Sequence, residues 1–398
     1  MSSPFTMPTA QRYRGLTTSP LKEIFALAAR KDVTSYAGGI PAPELFDLET
    51  VRNCYDWVLT NQGARALQYG ESEGEAELRE QAARRVSRFL PTDPSQIRVT
   101  TGSQEGIFVA AQALLDAGDV VLVESPTYLA AVQAFQAHGA RCIGVDTDDD
   151  GVLPDALRAA IEQHSPRALY LIPTFQNPTG RTMPPERRQQ IAQILLDTNL
   201  VLLEDDPYGE ITFTGQIMPP IASLPGMGER TLLMNSMSKL MAPGLRIGWT
   251  RAEGDILNTL AVAKAAISMQ TSVVDQLTVA RYLDTADLAG HIASVSAVYR
   301  ERRDTMAKAL TPHLPDTAHI THPEGGMFLW ASLGGGIDAQ AMLSDAVARG
   351  VAYLPGWSFF ADHADRSTMR LSFVTHAPEV IARDMHTLGS VIADHASR

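Results

Sequence analysis

The sequence lacks the features that mark secreted and membrane-spanning proteins. Its 398 residues include only two cysteines, Cys54 and Cys142, which lie far apart and match no metal-ligand spacing. We interpret both as buried apolar residues in a reducing compartment. No segment approaches the ~20 apolar residues of a membrane-spanning helix, and residues 1–15 lack the apolar core of a signal peptide.

Runs of lysine and arginine are also missing, and the net charge is −12. This balance argues against nucleic acid or an anionic membrane as the main partner. Apolar residues make up 45% of the chain and charged residues 20%, as in ordinary globular proteins, and 398 residues suffice for two or more domains. We therefore expect a soluble, cytoplasmic protein.

From about residue 97, short apolar runs alternate with segments of helical periodicity. Near-continuous runs such as VVLVES, ALYLIPT and LVLLEDD predict buried strands, and the intervening segments predict amphipathic helices. This alternation indicates a mainly parallel α/β sheet with both faces covered. Ligands of such sheets bind beyond the carboxyl ends of the strands, so the polar residues after each run are candidates for a site.

The pattern predicts three regions. Residues 46–286 form a large domain around the parallel sheet, and residues 287–398 form a smaller α+β domain that begins with a long helix. We expect the N-terminal segment, residues 1–45, to pack against the smaller domain, because it has no partner of its own.

One candidate site lies in NSMSKLMAPGLRIGW, between two predicted strands. Lys239 there can be an ordinary surface lysine, but burial would lower its pKa and give a nucleophilic amine suited to Schiff-base chemistry. Ser236, Ser238 and Arg246 offer hydroxyl and guanidinium donors that match phosphate oxygens. A phosphate-bearing aldehyde would satisfy the whole cluster.

Two further groups of polar residues follow predicted strands. Asp205, Tyr208 and Asn177 can be ordinary turn residues, but pyridoxal phosphate needs a carboxylate opposite its ring nitrogen, and a hydroxyl and an amide could bind its ring oxygen. After IRVTT, the backbone N–H groups of Ser103 and Gln104 would open a helix toward an anion.

The residues from Ser236 to Gly248 fit S-x-S-K-x-x-x-P-G-x-R-x-G, which resembles the cofactor-lysine signature of class I/II aminotransferases, the fold-type I pyridoxal-phosphate enzymes. Other motifs of that family occur in its order: YGESEG, TGSQEG, ESPTY, QNPTG, DDPY and MRLSF. AGGIPAPELF and PEGGMFLW resemble the subgroup of 2-aminoadipate, kynurenine and aromatic aminotransferases. The resemblance covers nearly the whole chain and implies a mainly parallel seven-stranded sheet covered by helices, with a smaller α+β domain.

The resemblance also implies the role of each cofactor-facing residue. Lys239 would bond covalently to pyridoxal phosphate and then move a proton, and Asp205 would pair with the ring nitrogen. Asn177 and Tyr208 would hold the ring hydroxyl, while Tyr128 would stack on the ring. The remaining phosphate ligands would be Ser103, Gln104, Ser236, Ser238 and Arg246. The turns that carry Tyr128 and Asn177 predict cis peptide bonds at Ser125–Pro126 and Asn177–Pro178.

Substrate and subunit contacts follow from the same resemblance. Arg370 would bind the substrate α-carboxylate, with Asn177 and the backbone near Gly39 beside it, although Arg370 taken alone can be a solvated residue. Tyr69 would reach the phosphate of the neighbouring subunit, which makes the active site a property of a homodimer. No metal is implied.

Together these features predict an aminotransferase that works by a ping-pong route between an L-amino acid, with an apolar, aromatic or long side chain, and a 2-oxo acid such as 2-oxoglutarate or pyruvate. The same constellation permits a racemase, β-lyase, decarboxylase or amino-acid cyclase, because a fold does not determine a reaction. An effector-sensing domain of a transcription regulator is a further alternative. It predicts an additional DNA-binding part, which we do not find in this sequence.

Lys22 bears on side-chain selectivity. In the aminoadipate-like subgroup, the segment similar to SPLKEI often carries an arginine that meets a distal carboxylate, and here the residue is lysine. Lysine can pair with an acid but cannot form the planar two-bond contact, so selectivity for dicarboxylic substrates should be looser. Apolar and aromatic donors should then work well beside an acidic acceptor such as 2-oxoglutarate. The alternative is that Lys22 is merely solvated on a helix face.

We predict that Lys22→Ala lowers kcat/KM for acidic substrates roughly tenfold, about the effect of losing one charged hydrogen bond. The same change should leave kcat/KM for apolar substrates unaltered. Steady-state kinetics with one dicarboxylic and one aliphatic amino acid measure these values. Lys22→Arg should strengthen binding of the dicarboxylic substrate. Equal losses for both substrate classes would show that Lys22 does not contact the side chain.

Overall fold

The computed structural model describes residues 7–13, 30 and 32–397. The helices in this part are α1 (Leu48–Ala66), α2 (Ala76–Val86), α3 (Ser103–Leu114), α4 (Leu129–Ala137), α5 (Pro154–His164), α6 (Pro185–Leu196), α7 (Ile256–Ser268), α8 (Val273–Thr285), α9 (Leu288–Leu310), α10 (Ala339–Ala348) and α11 (Pro378–Ala396). The strands are β1 (Thr34–Ser35), β2 (Ile97–Thr100), β3 (Val120–Ser125), β4 (Arg141–Asp148), β5 (Gly151–Val152), β6 (Ala168–Leu171), β7 (Val201–Asp206), β8 (Thr231–Ser236), β9 (Gly248–Arg251), β10 (His319–Ile320), β11 (Phe328–Ser332), β12 (Val351–Ala352), β13 (Leu354–Pro355) and β14 (Thr368–Ser372).

An eight-stranded sheet has the order β2-β9-β8-β7-β6-β3-β4-β5. From β8 to β4 all neighbours are parallel, whereas β9 runs antiparallel to both β2 and β8. The predicted mainly parallel sheet is therefore confirmed. Its seven expected strands are joined by a two-residue eighth strand, β5, which turns back antiparallel against the end of β4.

Both faces of this sheet are buried, which explains why its strands are apolar at nearly every position. In β3, Val121 and Val123 belong to one hydrophobic core, while Val120 and Leu122 belong to the core on the other face. Side chains alternate between the faces of a strand, so consecutive valines can all be buried only when helices cover both sides. The parallel strands β3, β6, β7 and β8 consequently bring their carboxyl ends to one edge.

A second sheet lies in the C-terminal part of the chain. Its order is β10-β11-β14-β13 and all of its pairs are antiparallel. The short strand β1 pairs in parallel with β12, and Ser372 donates its backbone N–H to the carbonyl of Tyr36 at 2.8 Å. Residues 34–36 therefore lie against C-terminal elements. The division into domains at residues 45 and 286 stays a prediction.

Cys54 and Cys142 are both buried and unpaired, as expected for apolar core residues. Among the described helices, none is both long and apolar enough to cross a bilayer.

Candidate active site

The loops after β3, β6, β7 and β8 surround a cavity of about 390 Å³. Most of the residues predicted as site residues line it: Gly39, Ser103, Gln104, Tyr128, Asn177, Asp205, Tyr208, Ser236, Ser238, Lys239, Arg246 and Arg370. A larger groove of about 940 Å³ lies between α9 and residues 210–217, but it contains none of the predicted site residues. We therefore place the candidate site in the smaller cavity.

Lys239 lies in the turn that follows β8, and its Nζ donates to the carbonyl of Gly39 at 2.7 Å. Burial lowers the pKa of Lys239 to about 8, helped by the positive charges of Arg370 and Arg246. A substantial fraction of this amine is therefore neutral near pH 7–8, which is the form that attacks a carbonyl carbon.

Hydroxyl and guanidinium donors cluster beside the start of α3. Ser236 donates from Oγ to the Oγ of Ser238 at 2.9 Å, and Arg246 has a left-handed backbone with φ 54° that returns its side chain to this cluster. Arg246 Nη2 donates to the carbonyl of Thr101 at 3.1 Å. Gly102 has φ +75°, a backbone conformation that favours glycine, and a Cβ there would come within 2.6 Å of Arg246 Nη2 and displace this guanidinium. This cluster could hold a phosphate group at the helix N-terminus.

Asp205 is near the end of β7 and only 2% exposed. Its Oδ2 accepts a hydrogen bond from the hydroxyl of Tyr170 at 2.8 Å, while Oδ1 has no partner among the described residues. Burial raises the pKa of Asp205 to about 7, although the Tyr170 hydrogen bond opposes that rise. A cationic ring nitrogen is the kind of group that such an unpaired carboxylate oxygen could bind.

Arg370 extends from β14 into the opposite side of the cavity. Its Nη1 donates to Asn177 Oδ1 at 2.8 Å, and Nη2 donates to the carbonyl of Ala37 at 2.7 Å. The guanidinium carbon lies 4.1 Å from the ring centre of Phe328 and 4.9 Å from that of Phe359. Burial lowers the pKa of Arg370 to about 10, so it remains charged at neutral pH.

The aromatic residues complete the walls. Tyr128 directly precedes α4, and its hydroxyl donates to Gln104 Oε1 at 3.2 Å. Tyr208 meets Phe328 edge to face at 5.9 Å between ring centres, and burial raises the pKa of its hydroxyl. The predicted cis peptide bonds at Ser125–Pro126 and Asn177–Pro178 are both present.

Two predicted site residues remain, of which the structure describes one. Tyr69 is 76% exposed and does not line the cavity. Lys22 lies outside the described residues.

Several residues of the site escaped the sequence reasoning. Phe328 and Phe359 pack on Arg370, and Tyr170 binds Asp205. Gln176 donates from Nε2 to the carbonyl of Pro126 at 2.8 Å, which connects the turn before Tyr128 with the turn that carries Asn177. Tyr170 and Phe359 are aromatic residues in apolar surroundings, and nothing local distinguishes them from core, whereas Phe328 stands inside the PEGGMFLW motif. Gln176 stands inside the QNPTG motif, which was its only available signal.

The described groups fit pyridoxal phosphate. A buried amine with a lowered pKa, a carboxylate with one oxygen unpaired and a cluster of phosphate donors all face one cavity. Each matches a different part of that molecule: the aldehyde, the ring nitrogen and the phosphate.

Comparison with known proteins assigns the family. The model of the family "Aminotransferase class I and II" matches residues 48–386, so the chain belongs to the class I and II aminotransferases. It is 37% identical over 382 residues to aromatic-amino-acid aminotransferase 1 of Thermococcus litoralis, and the aligned region covers 94% of this chain and 91% of the relative. It is 35% identical over 383 residues to 2-aminoadipate transaminase of Thermus thermophilus, covering 95% and 94%.

A solved structure agrees with this assignment. The multiple substrate aminotransferase from Thermococcus profundus superimposes with a TM-score of 0.92 and 34% identity, covering 98% of each chain. The chain is thus an aminotransferase that depends on pyridoxal phosphate.

The geometry around Lys239 makes a prediction for the apoenzyme. Competitive acylation across a pH series should give half-maximal labelling of Lys239 near pH 8, well below the midpoint of an ordinary lysine. Below that pH the ammonium form dominates and labelling should fall. Mass spectrometry of the peptide that contains Lys239 measures the extent of labelling. As a control, Lys239→Arg should abolish labelling of that peptide. A midpoint near pH 10 would contradict the effect of burial.

Proposed function

We propose that the enzyme moves an amino group between an L-amino acid with an apolar, aromatic or long side chain and a 2-oxo acid such as 2-oxoglutarate or pyruvate. The observation that carries this proposal is the common cavity of Lys239, Asp205 and Arg370. It offers an amine, a carboxylate and a carboxylate-binding fork within one cavity. The similarity to enzymes named for aromatic amino acids and for 2-aminoadipate supports this substrate class.

Arg370 binds the α-carboxylate that every substrate carries. Its guanidinium is buried between aromatic rings, so a carboxylate meets a desolvated, oriented fork rather than a hydrated side chain. Asn177 lies beside it, as does the carbonyl of Ala37 in the segment that leads to Gly39. This contact fixes the substrate Cα relative to Lys239 Nζ, and such positioning accounts for a large part of many enzymatic rate enhancements.

Lys239 has two tasks in the proposed route. It holds the cofactor covalently between turnovers, and its amine then takes the proton from the substrate Cα and returns a proton during product formation. A pKa near 8 suits both, because the amine accepts and releases protons readily at neutral pH. Pyridoxal phosphate, when bound, supplies the electron sink for the charge left on Cα.

The remaining residues hold the cofactor in place. Asp205 would pair with the ring nitrogen, Tyr128 would contact the ring, and Asn177 and Tyr208 would bind the ring oxygen. The phosphate would be bound by Ser103, Gln104, Ser236, Ser238 and Arg246. Because one half-reaction must finish before the second substrate enters the same cavity, the route is ping-pong.

We also propose a homodimer in which Tyr69 reaches the neighbouring site. Tyr69 is one of several exposed large apolar side chains: Leu67 and Tyr69 are each 76% exposed and Met269 is 60% exposed. The backbone N–H of Gly70 donates to the side chain of Gln270, which brings these exposed residues into one region. Exposed apolar patches of this kind commonly mark subunit interfaces. The unpaired cysteines support the further proposal of a cytoplasmic location.

The reaction and the covalent link can be tested together. Single amino acids added to the purified holoenzyme should convert the absorbance of the aldehyde form of the cofactor to that of the amine form, with stoichiometric release of a 2-oxo acid. Borohydride reduction and peptide mapping should place the cofactor on Lys239. A racemase or lyase would turn substrate over without accumulating the amine form, and label on another lysine would contradict the proposed role of Lys239.

Mixed dimers test the shared site. Tyr69→Phe subunits mixed with Lys239→Ala subunits should give heterodimers in which one site carries both defects and the other carries neither, because Tyr69 serves the partner's cavity. Activity should therefore rise above that of either mutant homodimer. Mixtures that show only the average of the two homodimers would indicate that Tyr69 acts within its own subunit or not at all. Size-exclusion chromatography with light scattering checks the dimer itself.

A further inference from the structure

Tyr170 and Asp205 form a buried pair beneath the cavity. Tyr170 lies on β6 and Asp205 on the neighbouring strand β7. Tyr170 is fully buried and Asp205 is 2% exposed, and the tyrosine hydroxyl donates to Asp205 Oδ2 at 2.8 Å. Asp205 lines the cavity but Tyr170 does not. The hydroxyl of Tyr170 therefore reaches the cavity only through the carboxylate of Asp205.

The hydrogen bond restrains how the carboxylate can face the cavity. Oδ2 is occupied by the hydroxyl, and Oδ1 has no partner among the described residues. A carboxylate with one oxygen bound has a fixed orientation, so Oδ1 remains available to a ligand. The ring of Tyr170 is itself fixed, because it packs edge to face on Phe135 with 5.7 Å between ring centres.

The same hydrogen bond favours the charged form of Asp205. An unpaired buried carboxylate avoids the cost of burial by taking a proton, whereas a hydroxyl donor stabilises the anion. The negative charge of Asp206 disfavours the ionised form of Asp205 and so raises its pKa. The hydroxyls of Tyr128 and Tyr208 are further titratable groups that interact with Asp205. Burial and the charge of Asp205 raise the pKa of Tyr170 well above its ordinary value, so its hydroxyl stays protonated and acts as a donor.

We propose that Tyr170 is a positioning residue that favours the ionised form of Asp205 and directs its free oxygen toward the nitrogen of the cofactor ring. This inference rests on the role of Asp205 given under the proposed function. Tyr170 touches neither the cofactor nor the substrate, and its contribution is specific to the ring nitrogen.

The test compares two ligands of the apoenzyme. One is pyridoxal phosphate, and the other is its 1-deaza analogue, in which C–H replaces the ring nitrogen. Both form the same link to Lys239 and the same phosphate contacts, so the ratio of their dissociation constants isolates the ring nitrogen. Tyr170→Phe removes one hydroxyl and keeps the ring packing. It should reduce the preference for the nitrogen-bearing ligand by about tenfold, the usual effect of one hydrogen bond to a charged group, and leave the affinity for the analogue unchanged.

Tyr282→Phe is the matched control. Tyr282 is also fully buried and donates its hydroxyl to a carboxylate, Asp47 Oδ2 at 3.1 Å, but neither residue lines the cavity. This variant should keep the wild-type preference. Thermal unfolding of each apoenzyme measures any general loss of stability, which would weaken both ligands alike.

Asp205→Ala distinguishes the role proposed for Asp205 from the role proposed for Tyr170. If Asp205→Ala loses the preference and Tyr170→Phe retains it, the role of Asp205 stands and that of Tyr170 is overturned. If Tyr170→Phe weakens both ligands equally, the residue is structural only and the proposal is again overturned. If Asp205→Ala itself retains the full preference, the role of Asp205 fails, and the inference about Tyr170 fails with it.

Discussion

Desolvation is the constraint on which the site depends. Lys239, Asp205 and Arg370 are ionisable groups that water would stabilise strongly, yet all three face one cavity at the edge of the sheet. Burial favours the neutral form of each group, so it lowers the pKa of Lys239 and Arg370 and raises the pKa of Asp205. The fold retains these groups because backbone carbonyls, a tyrosine hydroxyl and an asparagine amide replace part of the lost hydration.

The sheet makes this arrangement possible. Parallel strands covered on both faces are rigid and dry, and their carboxyl ends all lie at one edge, so residues distant in sequence meet there. Asn177 follows β6, whereas Arg370 comes from the second sheet 193 residues later, and their hydrogen bond closes the cavity between the two sheets. The cavity therefore depends on both sheets and on residues 37–39, whose carbonyls accept from Arg370 and Lys239.

Local sequence was a good guide to the strands and to the polar residues that follow them. Continuous apolar runs predicted β3, β6 and β7, because only a doubly covered sheet buries every position. The proposed role of Arg370 came instead from family resemblance, since a single charged residue beside a strand is ordinary, whereas the chemistry of the cofactor had already suggested the role proposed for Asp205. Tyr170 and Phe359 could not be predicted, because an aromatic residue that binds a charged group has the same local pattern as one in the core. Contacts across a subunit interface, as proposed for Tyr69, depend on a second chain.

Gln176 uses its whole side-chain amide in holding two loops. Its Nε2 donates to the carbonyl of Pro126, and its Oε1 accepts from both the backbone N–H and the hydroxyl of Thr179. The turn leading to Tyr128 and the turn carrying Asn177 are thus mechanically coupled through one buried residue. A shift of either turn is transmitted to the other, so the two walls of the cavity move together or stay together. Arg370 extends the same coupling to β14, because its guanidinium donates to Asn177 in the second of these turns.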